Sequence, residues 1–196
     1  MADSPKWLKV VAIGFVMGTV MFALTNRDKD VAAPRQAAVP KRLDIPSLNL
    51  KAPLMKLGLG DDGEVELPPF EKPAMAGWFD QSVVPGDSGA SVIIGHVDTK
   101  TAPAVFYRLR DVKKGAVVKI LRSDGRTATY KVDSVEQVAK NDFPAQRVYV
   151  EDGLRLVTCG GAFDRKTHEY LDNIIVYASR QSPRDTPLKA LPAPVS

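Results

Sequence analysis

Leu154-Arg155-Leu156-Val157-Thr158-Cys159-Gly160-Gly161 reads as a short β-strand that ends on a cysteine and opens into two glycines. Valine and threonine suit a pleated, half-buried surface, and the glycine pair ends the run. The cysteine is the only one in the chain. A free thiol in mid-strand is ordinarily a small core hydrophobe; at a strand end its sulfur can reach a cleft. Histidine is nearly as scarce, with two in 196 residues, and one has a matching context in Ser91-Val92-Ile93-Ile94-Gly95-His96-Val97-Asp98. A lone thiol and an imidazole at two strand ends are the parts that nucleophilic cysteine catalysis requires. The competing reading, a structural Cys159 and a surface His96, stays open because adjacency in space is not visible in a sequence.

Working outward, short β segments recur between Gly, Pro and Asp. They are expected at 42–45, 51–55, 91–95, 117–121, 128–138, 154–158 and 173–178. Ser123-Asp124-Gly125-Arg126 reads as a hairpin turn, with Asp-Gly supplying the positive φ values. One short helix is expected near 103–109, with Pro103 in its first turn and Thr101 near its cap. Strands at this spacing mean a sandwich or a barrel, which periodicity alone does not separate.

Further pieces carry a family pattern: Ala76-Gly77-Trp78-Phe79, Pro85-Gly86-Asp87-Ser88-Gly89, Gly95-His96-Val97-Asp98, Val105-Phe106-Tyr107-Arg108-Leu109, Leu156-Val157-Thr158-Cys159-Gly160-Gly161 and Tyr170-Leu171-Asp172-Asn173-Ile174-Ile175-Val176-Tyr177. In this order and spacing, the run from about residue 41 to 179 resembles the sortases, cysteine transpeptidases of Gram-positive cell surfaces, and is most similar to the class F group of actinobacteria. The resemblance implies a mainly β fold, an eight-stranded sortase-type β-barrel with one or two short helices. It also implies the reaction. Cys159 attacks the threonine carbonyl of a Leu-Pro-x-Thr-Gly (LPxTG) sorting signal and forms a thioester. His96 protonates the departing amine, then takes a proton from the incoming cell-wall amine.

Sortases also use an arginine, to stabilise the oxyanion or hold the substrate. Near the start of the last strand, where most of them place it, this chain has Asn173. The nearest basic residue after the nucleophile is Arg165, to which the role is carried; the plain alternative is an exposed loop charge paired with Asp164. Arg108 and Arg155 stand in reserve, and His168 is the lesser histidine. Thr158 and Asn173 are the expected substrate-binding residues. Trp78 is expected to pack under the barrel. Reference ionisation gives roughly 3% thiolate and roughly 24% imidazolium at pH 7, so an unperturbed Cys159–His96 pair is seldom in its charged form.

Residues 1–25 read as a cytoplasmic stub and a transmembrane signal anchor. From Trp7 to Leu24 the run is apolar or small but for Lys9 and spans about 18 residues, near the lower limit for crossing a bilayer. A cleaved signal peptide is the rival, disfavoured because Ala23-Leu24-Thr25 is a poor cleavage site. Lysines and arginines flank the run on both sides, so charge alone does not orient it. The resemblance places the domain outside the cell membrane, at the wall. Residues 26–40 read as a linker, 41–180 as the catalytic domain and 181–196, rich in proline, as a disordered tail.

The net charge of +4 comes from scattered basic residues without interleaved aromatics, which argues against nucleic acid as a partner. One cysteine excludes an internal disulfide, and with two histidines a zinc site is improbable. Asp61-Asp62-Gly63-Glu64 lacks an ordered calcium-ligand ladder. No cofactor or metal is expected. The expected partners are LPxTG-type surface proteins, an amine of the cell wall and membrane lipid through the N-terminal helix. Two rivals remain: a catalytically silent β-barrel that binds surface peptides, and a peptidoglycan-directed cysteine hydrolase. The second is weakened by the absence of a Ser-His-Gly-Cys setting around Cys159.

Overall fold

A computed structural model describes residues 37–61 and 63–181 of the chain. Its strands are β1 (Pro40–Ile45), β2 (Leu50–Leu57), β3 (Ala76–Phe79), β4 (Ala90–Ile94), β5 (Val117–Arg122), β6 (Thr127–Ala139), β7 (Gly153–Asp164) and β8 (Glu169–Arg180). They close in the order β1-β2-β3-β4-β7-β8-β6-β5, with β5 returning to β1. Closure leaves no unpaired sheet edge. Two of the neighbouring pairs, β2 with β3 and β4 with β7, are parallel; the others are antiparallel.

The strands follow from their burial patterns. In β6, Ala128, Tyr130 and Val132 are buried while Thr127, Lys131 and Asp133 are exposed, the period-2 alternation of a strand with one wet face. β4 and the first half of β7 are buried on both faces and accordingly are mostly apolar, interrupted by Ser91, Arg155 and Thr158. Their two faces serve different cores. Leu43, Ile93, Ile120, Tyr130, Leu156 and Val176 fill the barrel interior. Leu57, Phe79, Val92, Val157, Ile175 and Tyr177 form a second cluster on the outside, covered by Val148 of the single α-helix among the described residues, α1 (Ala145–Tyr149). Truncating a fully buried leucine such as Leu156 to alanine costs about 2–5 kcal/mol.

The expected hairpin is present: Arg122 N–H donates to Arg126 O at 2.9 Å, and Gly125 has φ 78°. Trp78 packs, 4% exposed, with its indole N–H on Val83 O. Two expectations need correction. Residues 103–109 do not form a helix: Ala104 N–H bonds back to Val97 O and Phe106 N–H to His96 O, so tertiary pairing overrides the proline signal and leaves a turn before the 3-10 segment Leu109–Asp111. The α-helix lies at 145–149 instead. β3 is a further strand, and β7 and β8 extend well past the ranges expected from apolar runs.

The expected span over 7–24, the linker up to residue 36 and the tail from 182 lie outside the described residues. Among the described residues no helix is long and apolar enough to cross a membrane.

Candidate active site

The site is set by one parallel ladder. β4 and β7 run side by side with Ile94 opposite Val157, and Gly95 N–H donates to Val157 O at 3.1 Å. His96 lies two residues beyond Ile94 and Cys159 two beyond Val157, so the shared register brings the imidazole and the thiol to the same level on neighbouring chains. Parallel neighbours stand about 4.8 Å apart. Glycine at 95 is a packing requirement. A Cβ there would lie 2.6 Å from Val105 Cγ1 and 2.7 Å from Phe106 Cδ2, the segment that crosses beneath His96.

Cys159 faces Asn173 across β7 and β8 and shares the outer face of the barrel with Val157 and Ile175. Immediately after it the ladder slips between Gly160 and Phe163, where Gly161 takes φ 76°. A Cβ at Gly161 would meet Asp172 Oδ2 at 2.1 Å, so the bulge behind the thiol demands glycine. Burial pushes the Cys159 thiol up; Lys140 opposes this, while Asp98 and Glu169 add to it.

Two connections wall the groove above this floor. Residues 58–61 and 63–75 follow the end of β2, and 140–152 follow the end of β6. Between them lies a cavity of about 760 Å³ that contains Cys159 and His96. Leu59, Val65 and Leu67 line one side, Phe143 and Tyr149 the other, with Ile94 and Val157 below. Apart from Glu64 its length is lined by apolar side chains, and it is polar at the Cys159 end, the composition of a peptide-binding cleft.

The first wall grips the imidazole. His96 is 9% exposed; its Nε2–H donates to Pro68 O at 2.6 Å, and the Phe70 ring stacks on it with centroids 4.2 Å apart and planes at 19°. A carbonyl can only accept, so this bond fixes the proton on Nε2 and leaves Nδ1 as the nitrogen that changes state. Asp98 accepts a hydrogen bond from the Tyr170 hydroxyl, a bond that pushes that phenol up to about 12. Asp98 therefore ties the chain after His96 to β8.

The other expected residues separate clearly. Thr158 and Asn173 line the cavity. Thr158 is 3% exposed, and its hydroxyl has no hydrogen-bond partner among the described residues. Arg165 is exposed in the 165–168 turn between β7 and β8 and does not line the cavity. His168 occupies the same turn, edge-on to Phe163. Arg108 pairs with Asp111 at 3.0 Å on the surface. Arg155 is on the face of Cys159 but buried lower down, where it donates to the carbonyls of Arg147, Glu151 and Asp152 and lies over the Tyr177 ring. Among the described lysines and arginines, Lys140 alone lines the cavity. Sequence reading missed Lys140, Pro68 and Phe70: none belongs to a periodic or spaced motif, and only the folding of two long connections brings them to the thiol. Among the described residues no three of His, Cys, Asp and Glu gather to hold a metal ion.

A thiol at the level of a buried imidazole, at the head of an apolar cleft, is the arrangement of a cysteine enzyme that works by acyl transfer. The family profile described as Sortase domain matches residues 43–181, and the chain belongs to that family of cysteine transpeptidases. Solved sortases share its fold. A lid mutant of sortase A from Corynebacterium diphtheriae is 23% identical, with a TM-score of 0.56 over 76% of this chain and 75% of that one. Sortase C-1 from Actinomyces oris is 24% identical, with a TM-score of 0.55 over 74% and 73%. Sortase C1 of Streptococcus agalactiae, in complex with MTSET, is 23% identical with a TM-score of 0.55; the match covers 72% of this chain and 66% of the length of that one. No curated protein sequence matches the chain.

Proposed function

We propose that this chain is a transpeptidase acting on an LPxTG-type sorting signal, of the class F kind, with Cys159 as nucleophile and His96 as the proton carrier. The thiol proton passes to His96 Nδ1 as the sulfur attacks the threonine carbonyl; the S–C bond forms, and the Thr–Gly bond breaks as His96 gives that proton to the departing amine. An incoming amine then attacks the thioester, His96 takes its proton, the S–C bond breaks, and His96 returns the proton to the sulfur, restoring the thiol. The observation that supports this reading is the shared β4–β7 register, beyond which His96 and Cys159 each follow by two residues and line one cavity. The apolar cleft leading to the thiol suits the leucine and proline of such a signal. Residues 7–24 serve as the signal anchor that holds the domain outside the membrane, where wall amines are at hand.

The test is mass spectrometry of residues 37–196 with an LPxTG peptide and a small amine. The expected product is a threonine–amine conjugate that disappears in Cys159→Ala and His96→Ala. Cleavage with water as the only acceptor would replace this reading with that of a hydrolase. No thioester and no product from the folded domain would leave a peptide-binding barrel.

A further inference from the structure

The cleft holds a nucleophile whose burial disfavours its charged form, and none of the described arginines lines it. Arg165 is in an exposed turn, Arg108 is on the surface and Arg155 is committed to backbone carbonyls. Lys140 occupies a different place. It directly follows β6, whose last residue Ala139 is paired with Asp172, while Val138 is paired with Asn173. Asn173 in turn faces Cys159, and Gly160 faces Asp172. The row Val138–Asn173–Cys159 therefore crosses three adjacent strands, and Lys140 rises from the head of the outermost one into the cavity that contains the thiol. Its Nζ is 3.1 Å from Glu169 Oε2, a residue on the same cavity rim.

We propose that Lys140 supplies the positive charge of this active site, facing the charge that forms on the Cys159 sulfur and, after attack, on the carbonyl oxygen of the substrate, with Glu169 holding it in check. The proposal rests on the transpeptidase reading for its second half; the first half concerns the thiol alone. An ammonium does this work as a point charge without the fork of a guanidinium, so it can serve two atoms in succession from one position. The titratable groups around the thiol are His96 and Asp98 from the segment after β4, Lys140 from the end of β6, and Glu169 and Tyr170 from β8, while Glu64 lines the far wall of the same cavity. Lys140 is the fixed cation among them and the one that favours the thiolate.

The test uses iodoacetamide alkylation of Cys159 across pH 6–10, which requires no substrate, together with cleavage of an LPxTG peptide. Lys140→Gln is expected to slow alkylation at neutral pH about threefold to tenfold, Lys140→Arg to restore it, and Glu169→Gln to speed it about twofold to fivefold. The opposite signs are the decisive reading. If the pair is only a strut, removing either partner changes alkylation in the same direction or not at all, and the proposal falls. A greater loss of peptide cleavage in Arg165→Ala than in Lys140→Gln would return the oxyanion role to Arg165 and overturn the second half. Failure of the wild-type domain to cleave any such peptide would sink the transpeptidase reading yet leave the alkylation result to stand by itself. Circular dichroism and thermal melts of each variant separate a lost charge from a lost fold.

Discussion

His96 donates its Nε2–H to the carbonyl oxygen of Pro68 at 2.6 Å, so the wall of the cleft chooses which nitrogen of the imidazole does chemistry. The ring of Phe70, stacked at 4.2 Å, holds the plane. Phe70 itself is 60% exposed, which marks it as present for His96 and not for the core. Phe70→Ala is expected to lower turnover roughly threefold to tenfold, through loss of a stack of about 1 kcal/mol, and Phe70→Trp to restore it. Nitrogen-15 spectra of His96 check the cause: Nε2 carries the proton in the neutral ring of the wild type, and the Phe70→Ala spectrum reports a mixture of tautomers. A single unchanged tautomer with full turnover would dismiss the stack as incidental.

Gly95→Ala is expected to cost about 1–3 kcal/mol, because its methyl enters the space of Val105 and Phe106 and both are buried. The segment that must yield carries the bond from Phe106 N–H to His96 O, so activity falls further than stability alone explains. Urea denaturation and peptide cleavage, measured on the same preparation, give the two losses side by side.

The pH dependence of Cys159 follows from its burial. The folded thiol is pushed up, so alkylation continues to gain with pH beyond the point where an ordinary thiol has levelled off. Stability moves in the opposite sense. The folded state keeps a proton that the unfolded chain gives up, so this contribution is complete below the ordinary thiol value and is lost as pH rises through the raised one. Cys159→Ala therefore melts with a shallower alkaline decline than the wild type; parallel melting curves above pH 8 would contradict the burial effect.

Thr158→Val replaces a buried hydroxyl that has no partner among the described residues by a methyl of the same shape. Removing such a group without leaving an orphan is expected to hold or raise stability, by up to about 1 kcal/mol. If the hydroxyl waits for a substrate carbonyl or amide, turnover drops while the melting temperature does not. Equal turnover in Thr158→Val would reduce Thr158 to a strand former.

Much of the architecture could be read from the chain because its strands obey two simple patterns. β6 alternates and β4 and β7 run mostly apolar, and each pattern names its faces. The thiol and the imidazole could be read because both types are rare and each adjoins a glycine at a strand end. Their registration could not, since a parallel pairing between residues 63 positions apart leaves no local trace. Helix signals misled at Pro103, where the backbone groups found long-range partners instead of a helical turn. Lys140 and Phe70 were hidden for a different reason: each lies on a long connection whose path across the barrel is fixed by packing of the outer cluster, not by its own composition.

The closure of β1 onto β5 bears on how the domain can be handled. Pro40 pairs with Arg122 at one rim, and Arg180, paired with Tyr130, lies at that same rim, seven residues along β8 from Asn173 or roughly 23 Å. Both points where the polypeptide joins the barrel are thus remote from the mouth of the cleft. A dye attached at residue 40 or 180 therefore lies at the rim away from the thiol, whereas one attached in the 165–168 turn lies on the hairpin that carries Cys159.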